Sequence, residues 1–223
     1  MLCNLTAVRD NIRNREGKRV YYLAKGDQLT SDARDYLTRE RIAILPASEA
    51  RPARYRLLNG GYMEQKPEHM THLNGDVLVE KTHPRILFRG AVDALEAELL
   101  IACANGHGDI RKQLEEALSY TRTLLRNEVL EESVQLETLG GMDEKALRER
   151  SHRPQDFYGQ PHFMPSPEDG ALLLQVNRAR CAARAAELSA VAAFPTGRED
   201  LLRAFNRLSS FLYLVMIQLK KEM

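Results

Sequence analysis

Near residue 80 of the 223-residue chain the spacing of apolar positions changes character. Beyond it, Phe88, Val92, Leu95 and Leu99 recur at alternating four- and three-residue steps, the pattern of a helix that buries one face. Pro84 suits the first turn of that helix, and Gly106 and Gly108 stop it. Ile110, Leu114, Leu118, Thr121 and Leu125 carry the same pattern along a second helix, expected over 109–132. The Gly140-Gly141 pair leads to a short helix over 143–150, and a third long helix is expected over 168–193. After Pro195-Thr196-Gly197, the positions Leu201, Phe205, Leu208, Leu212, Val215 and Leu219 form the seam of a fourth. Between the short helix and the third long one, residues 151–170 hold four prolines and two glycines and read as a long ordered loop or lid.

Before residue 80 the signals are mixed. Leu2, Leu5, Val8 and Ile12 predict a short amphipathic helix. The stretch RVYYLAKGDQLTSDARDYLTRERIAIL reads as strand, turn, helix, strand, with Thr30 or Ser31 as the helix cap. Residues 46–68, rich in Pro, Gly and charge, read as a linker or loop. The expected fold is mainly α: a four- to five-helix bundle over residues 66–223, with a small N-terminal α/β segment and linker over residues 1–65. Apolar residues occupy more than one side of the last helix, which predicts a subunit interface as well as a core.

Bulk composition narrows the function classes. A formal net charge of +1 gives no global field toward nucleic acid or an anionic membrane. The longest strongly apolar run, FLYLVMI, falls far short of the ~20 residues that span a bilayer. The N-terminus carries no charged-then-apolar leader pattern. Cys3, Cys103 and Cys181 are scattered without a CxxC pair, so neither a disulfide framework nor a zinc ribbon is indicated. Two of the three lie in expected helices and read as small packing residues, and the setting reads as reducing and cytoplasmic.

Several polar groups are not explained by packing. In NRARCAARAAEL, Arg180, Arg184 and Glu187 fall within a wedge of roughly 60° at about 100° per residue. One reading is an intrahelical Arg184–Glu187 ladder. The other is a bundle face whose guanidiniums meet an anionic ligand or a carboxylate from another helix. Asp93, in RGAVDALEAELL, is the obvious carboxylate, with Arg89 one turn earlier as its local alternative. Asn206 reads either as a satisfied structural amide or as a ligand group. His69 and His72 are three apart, but Pro67, Asn74 and Gly75 point to a loop and no further ligands complete a metal set. Lys66, Thr71 and Lys81 lie in a polar stretch before a helix start, where phosphate contacts are plausible although no GxxxxGK[ST] loop is present.

These motifs, in this order, resemble the ATP:cob(I)alamin adenosyltransferases, most closely the ethanolamine-utilization type. EKTHPRILFRGAVDALEAEL looks like the family's Lys, Asp-Pro-Arg and Gly-x-Val-Asp-Glu-Leu segment. ARCAARAAEL looks like its Ala-Arg-x-x-Cys-Arg-x-Ala-Glu-Arg motif, and AFNRLSSFLYL like its Leu-Asn-Arg-Leu-Ser motif. SHRPQDFYGQPHFMP resembles a segment of the ethanolamine branch, and KGDQLTSDARDYLTRERIAI an N-terminal element of ethanolamine and propanediol utilization proteins. The resemblance covers most of residues 18–218.

The resemblance implies a homotrimer of helical bundles that transfers the 5′-deoxyadenosyl group of ATP, with Mg²⁺, to the cobalt of cobalamin. It implies that Asp93 pairs with Arg184 across a subunit boundary and that Glu187 orients the arginines. Arg180, Asn206, Lys66, Thr71 and Lys81 match the ATP site, and His162, Phe163 and Met164 the corrinoid-facing loop. It further implies an electron-donating reductase and a cytoplasmic, microcompartment-associated setting. A separate reading is a helical interaction protein of a metabolic microcompartment, with residues 1–16 as the docking helix.

Departures from the family pattern are specific. KPEHMTHL replaces a Thr-Gly-Asp loop, Leu188 replaces a second arginine, and His162 stands where the family has a corrin-facing Phe. GGYMEQ replaces a Cys-rich motif, so no structural metal is expected. The Leu188 and His162 departures keep open a non-catalytic corrinoid or nucleotide carrier or sensor on the same fold.

Overall fold

The computed structural model describes residues 1–15, 17–50, 55–135 and 138–223. The chain divides into two compact units, Met1–His83 and Pro84–Met223.

The first unit is built from β1 (Leu2–Cys3), α1 (Leu5–Asp10), β2 (Arg13–Arg15), β3 (Lys18–Leu23), β4 (Gln28–Leu29), α2 (Ser31–Arg39), β5 (Ala43–Pro46), β6 (Tyr55–Leu57), β7 (Tyr62–Met63), β8 (Met70–Asn74) and β9 (Val77–Glu80). Seven strands form one sheet in the order β5-β3-β2-β7-β6-β9-β8, and β1 pairs with β4 in parallel. The strand–turn–helix–strand reading of residues 19–45 matches β3, α2 and β5.

The N-terminal helix is shorter than its apolar spacing predicts. The Asn4 side chain accepts from the Ala7 N–H, which starts the helix at Leu5 and leaves Leu2 and Cys3 to pair as a strand. Glu16, within the candidate docking segment, lies outside the described residues. Thr30 sits at the cap position of α2 but makes no side-chain capping bond; its hydroxyl donates to the Cys3 carbonyl. The stretch around His69 and His72 is a hairpin rather than a loop. β8 and β9 pair antiparallel, and Gly75 turns between them at φ +48°. Part of the expected linker over 46–68 is strand, β6 and β7; residues 51–54 of it lie outside the described residues.

The second unit is helical: α3 (Pro84–Asn105), α4 (Gly108–Val129), α5 (Glu144–His152), α6 (Pro154–Tyr158), α7 (Gly170–Ala193) and α8 (Glu199–Glu222). α7 packs on both α3 and α8, and α4 packs on both α3 and α8. The reason α7 can sit between two neighbours is its small-residue stripe: Ala179, Ala183, Ala186 and Ala190 are each fully buried. Against them α3 sets Phe88, Val92, Leu95 and Leu99, and α8 sets Leu201, Phe205, Leu208 and Leu212, all at 0% exposure. Burying one Leu or Phe side chain contributes about 1.5–3 kcal/mol, so this apolar seam dominates the stability of the unit.

The Gly140-Gly141 turn is forced by space and by φ. Both residues have positive φ, and a Cβ on Gly140 would lie 2.7 Å from the Phe211 ring. Residues 151–170, expected as an ordered loop or lid, are more helical than that: α5 runs on to His152. They contain α6 and a single helical turn over Pro167–Asp169, where Ser166 and Asp169 form a reciprocal capping box. Among the described residues no helix is long and apolar enough to cross a membrane.

Candidate functional site

The polar residues of α7 and α8 converge where the two helices pack. Glu187 of α7 accepts a hydrogen bond from Asn206 Nδ2 of α8 at 3.0 Å. Arg207 Nη2 donates to Asn206 Oδ1 at 2.7 Å. Both ends of the amide are therefore used, which fixes its orientation. Glu187 does not form the intrahelical ladder with Arg184; its described partner is Asn206, and through it Arg207. Arg207 is itself largely buried, with Glu144 of α5 at 3.8 Å and no hydrogen-bond partner for its Nε. The Asn206 carbonyl accepts from the hydroxyls of Ser209 and Ser210 at 2.9 and 3.1 Å, so the same turn is braced from below.

Arg180 lies one helical turn from Asn177, whose Oδ1 accepts from its Nε and Nη2 at 3.1 and 2.9 Å. Its guanidinium is half-buried and pre-aimed rather than free. Asp93 on α3 and Arg184 on α7 are both exposed, and among the described residues neither forms an ion pair. The local alternative for Asp93 is otherwise engaged: Arg89 Nε donates to buried Glu128 at 2.7 Å. Arg178 reaches Glu98 at 2.5 Å. Cys103 is buried, as its small size predicts, but Cys181 is exposed, with the Arg180 guanidinium 3.7 Å from its sulfur.

The loop after α6 is fastened to α8. His162 stacks on Tyr213 with ring centroids 5.7 Å apart. Its Nδ1 lies 2.9 Å from the Tyr213 hydroxyl and its Nε2 3.2 Å from the His152 carbonyl. Phe163 stacks on the same tyrosine at 6.3 Å, and Lys220 Nζ lies 5.8 Å from the Phe163 ring centroid. Lys220 also pairs with buried Asp169, which holds the far end of the loop. Met164 is 89% exposed. Burial pushes the Tyr213 hydroxyl above its ordinary pKa, against a hydrogen bond from the Phe163 backbone and, less, a nearby Arg180 charge.

In the first unit, Lys66 Nζ donates to the Met70 carbonyl at 3.2 Å and lines a cleft of about 840 Å³ with Glu64, Met63, Met70 and His69. Thr71 lies in β8 opposite Val79, and the Lys81 backbone N–H donates to the His69 carbonyl at 2.9 Å. His72 Nδ1 faces the Gly75 carbonyl at 3.0 Å, and His69 stands 3.8 Å from Glu80. Among the described residues no cluster of three or more His, Cys, Asp or Glu side chains could hold a metal.

Arg207, Asn177 and the His152 carbonyl were not singled out from the sequence. Arg207 had a signal, since it follows Asn206 inside the same motif. The backbone carbonyl had none.

A family model described as cobalamin adenosyltransferase matches residues 61–219. The corrinoid adenosyltransferase EutT of Salmonella typhimurium strain LT2 is 31% identical over 165 residues, and that of Escherichia coli strain K12 is 30% identical over the same length. Each alignment covers 69% of this chain, and the chain spans 59% of the length of these curated relatives. Among solved structures, a variant of a PduO-type ATP:corrinoid adenosyltransferase from Lactobacillus reuteri, complexed with cobalamin and ATP, superposes with a TM-score of 0.53 at 18% identity. That superposition covers 67% of this chain and 87% of the other. The family-model match spans well over half of the chain and takes in α3, α7 and α8, and on that basis the chain belongs to the cobalamin adenosyltransferase family.

Proposed function

We propose that the protein transfers the 5′-deoxyadenosyl group of ATP to the cobalt of cob(I)alamin, giving adenosylcobalamin for ethanolamine catabolism. The observation that carries this reading is the braced set Arg180, Glu187, Asn206 and Arg207 on α7 and α8, inside the span that matches the family. Residues 66–223 form the adenosyltransferase part, whose helices lie within the unit Pro84–Met223, and residues 1–65 an appendage.

The chemistry is displacement at the ribose C5′. Co(I) supplies the electron pair, the C5′–O bond breaks, and triphosphate leaves with that bond's electrons. No general base is needed. In-line approach demands an immobilised nucleotide, and positioning of this kind lowers a barrier by several kcal/mol, up to about 7–11 kcal/mol in well-oriented cases. Asn206 serves that purpose because both ends of its amide are tied. Arg180 supplies positive charge to the leaving triphosphate; Lys66, Thr71 and Lys81 are the first-unit residues that match the family's phosphate-binding segment. Mg²⁺ fits as a companion of the triphosphate oxygens rather than as a caged protein metal, since it keeps waters and phosphate ligands and no dedicated cluster exists among the described residues.

Asp93 and Arg184 pair across the boundary between two copies of a homotrimer. Both are exposed on helices whose outer faces also present Leu87, Leu100, Ile101, Leu188 and Val191. His162, Phe163 and Met164 face the corrinoid. A reductase supplies the electron that makes Co(I), and the protein works in the cytoplasm, associated with a microcompartment.

The test is anaerobic incubation of the protein with MgATP and chemically reduced cobalamin. Repeated formation of adenosylcobalamin is expected. Stoichiometric binding without turnover would make the protein a carrier or sensor instead.

A further inference from the structure

The resemblance sets His162 where the family has a corrin-facing aromatic side chain, and an imidazole beside cobalt is a hazard. Its lone pair is a good ligand for Co(II), and an axial ligand makes Co(II) harder to reduce. The hydrogen bonds of this histidine resolve the conflict. The His152 carbonyl can only accept, so Nε2 carries the proton and donates across 3.2 Å. In the neutral ring Nδ1 then holds the one free lone pair, and the Tyr213 O–H donates to it across 2.9 Å. No lone pair is left for a metal. The two rings lie nearly parallel, 15° apart, so the contact is a stacked face as well as a hydrogen bond.

Tyr213 also carries Phe163, at 6.3 Å and 24°. One half-buried tyrosine on a rigid helix thus anchors two adjacent loop residues of opposite chemistry. It engages the ring that can ligate and braces the ring that cannot. Lys220, over Phe163 and paired with Asp169, fixes the remainder of the loop.

We propose that Tyr213 is a positioning residue that withholds the His162 imidazole from the corrinoid cobalt, so that the loop offers cobalt an apolar neighbour and no axial ligand. This rests on the corrinoid reading above. The step it assists is Co(II) plus one electron giving Co(I), the electron coming from an external low-potential donor. Once Co(I) exists, which binds axial bases poorly, Tyr213 matters less.

Tyr213→Phe removes only the hydroxyl and keeps the stacking ring. The first readout is the electron paramagnetic resonance spectrum of Co(II)cobinamide, which lacks a nucleotide-loop base, bound with MgATP to protein labelled with ¹⁵N-histidine. Wild type is expected to show no nitrogen coupling from histidine. Tyr213→Phe is expected to show two-line ¹⁵N splitting on the cobalt pattern, and Tyr213→Phe combined with His162→Phe to lose it. The second readout compares turnover begun from Co(II) plus titanium(III) citrate with turnover begun from pre-reduced Co(I). The Tyr213→Phe loss should be at least tenfold greater from Co(II). Absent histidine coupling, or equal losses in the two assays, would overturn the role of Tyr213 while wild-type turnover remained normal. A wild type that makes no adenosylcobalamin from Co(I) would instead remove the corrinoid reading, and this inference with it.

Discussion

Asn206 on α8 and Glu187 on α7 share a 3.0 Å hydrogen bond, Nδ2 to Oε1, while Arg207 takes the other end of the same amide. An amide tied at both ends does not rotate, and a hydrogen bond to a charged group is worth about 1.5–3 kcal/mol. Asn206→Ala should raise the KM for ATP about tenfold or more, a factor equivalent to ~1.4 kcal/mol. Glu187→Gln retains an acceptor for Asn206 and should change KM only a few-fold. Glu187→Ala releases the amide and should approach the Asn206→Ala value. ATP saturation curves for the three variants decide it; equal effects of the Gln and Ala substitutions would mean that the tether to Asn206 is not what matters.

The Asp93 and Arg184 charges should behave as a pair only when copies assemble. Both are exposed and without an ion-pair partner among the described residues of one chain. Asp93→Arg and Arg184→Asp should each shift sedimentation from trimer toward monomer and abolish turnover. The double swap restores opposite signs and should recover the trimer. Trimers that survive either single reversal would place the interface elsewhere.

The helical unit was legible because burial there follows a strict period. Phe88, Val92, Leu95 and Leu99 are all fully buried, and Asp143 caps α5 near where the sequence placed a start. The first unit was less legible for two physical reasons. Its strands are as short as two residues, too brief to show alternation. Its helix start at Leu5 was set by one asparagine cap against an apolar pattern that ran on to Ile12. At the site, Arg180, Glu187 and Asn206 were visible as residues but their pairings were not. Helical spacing favoured Arg184 for Glu187, whereas helix packing delivered Asn206. The hold on His162 depends on a backbone carbonyl, which leaves no mark in a sequence.

Glu128 gives a stability prediction. Its side chain is fully buried and accepts from Arg85 Nε at 2.6 Å and Arg89 Nε at 2.7 Å, joining α4 to the first turns of α3. Burial is the largest single effect on the Arg85 guanidinium and lowers its pKa, but the hydrogen bonds it donates to Glu128 and Glu131 outweigh burial and hold it above its ordinary value. Removing one partner of a buried pair leaves uncompensated charge, at a cost of about 3–5 kcal/mol. Glu128→Ala should therefore lower the denaturant midpoint of the helical unit by that amount divided by its m-value. A loss under ~1 kcal/mol, the range of exposed pairs, would mean that water replaces the carboxylate freely.

Asp169 gives a pH prediction whose sign can be worked out. The Lys220 ammonium, and then the Ser166 N–H at 2.8 Å, hold its carboxyl below the ordinary carboxylate range. A carboxyl with a depressed folded pKa binds protons more weakly folded than unfolded. Its contribution is therefore complete above the unfolded value of about 3.9 and is lost as pH falls through the folded value. Asp169→Asn should lower Tm at pH 7, and the gap to wild type should close as the pH is taken below about 4. The same substitution frees the end of the loop that Lys220 holds next to Phe163, so the KM for cobalamin should rise at pH 7 while the KM for ATP holds. Thermal scans across pH and paired saturation curves check both halves. A gap in Tm that stays constant into acid would show that the pair contributes packing rather than charge.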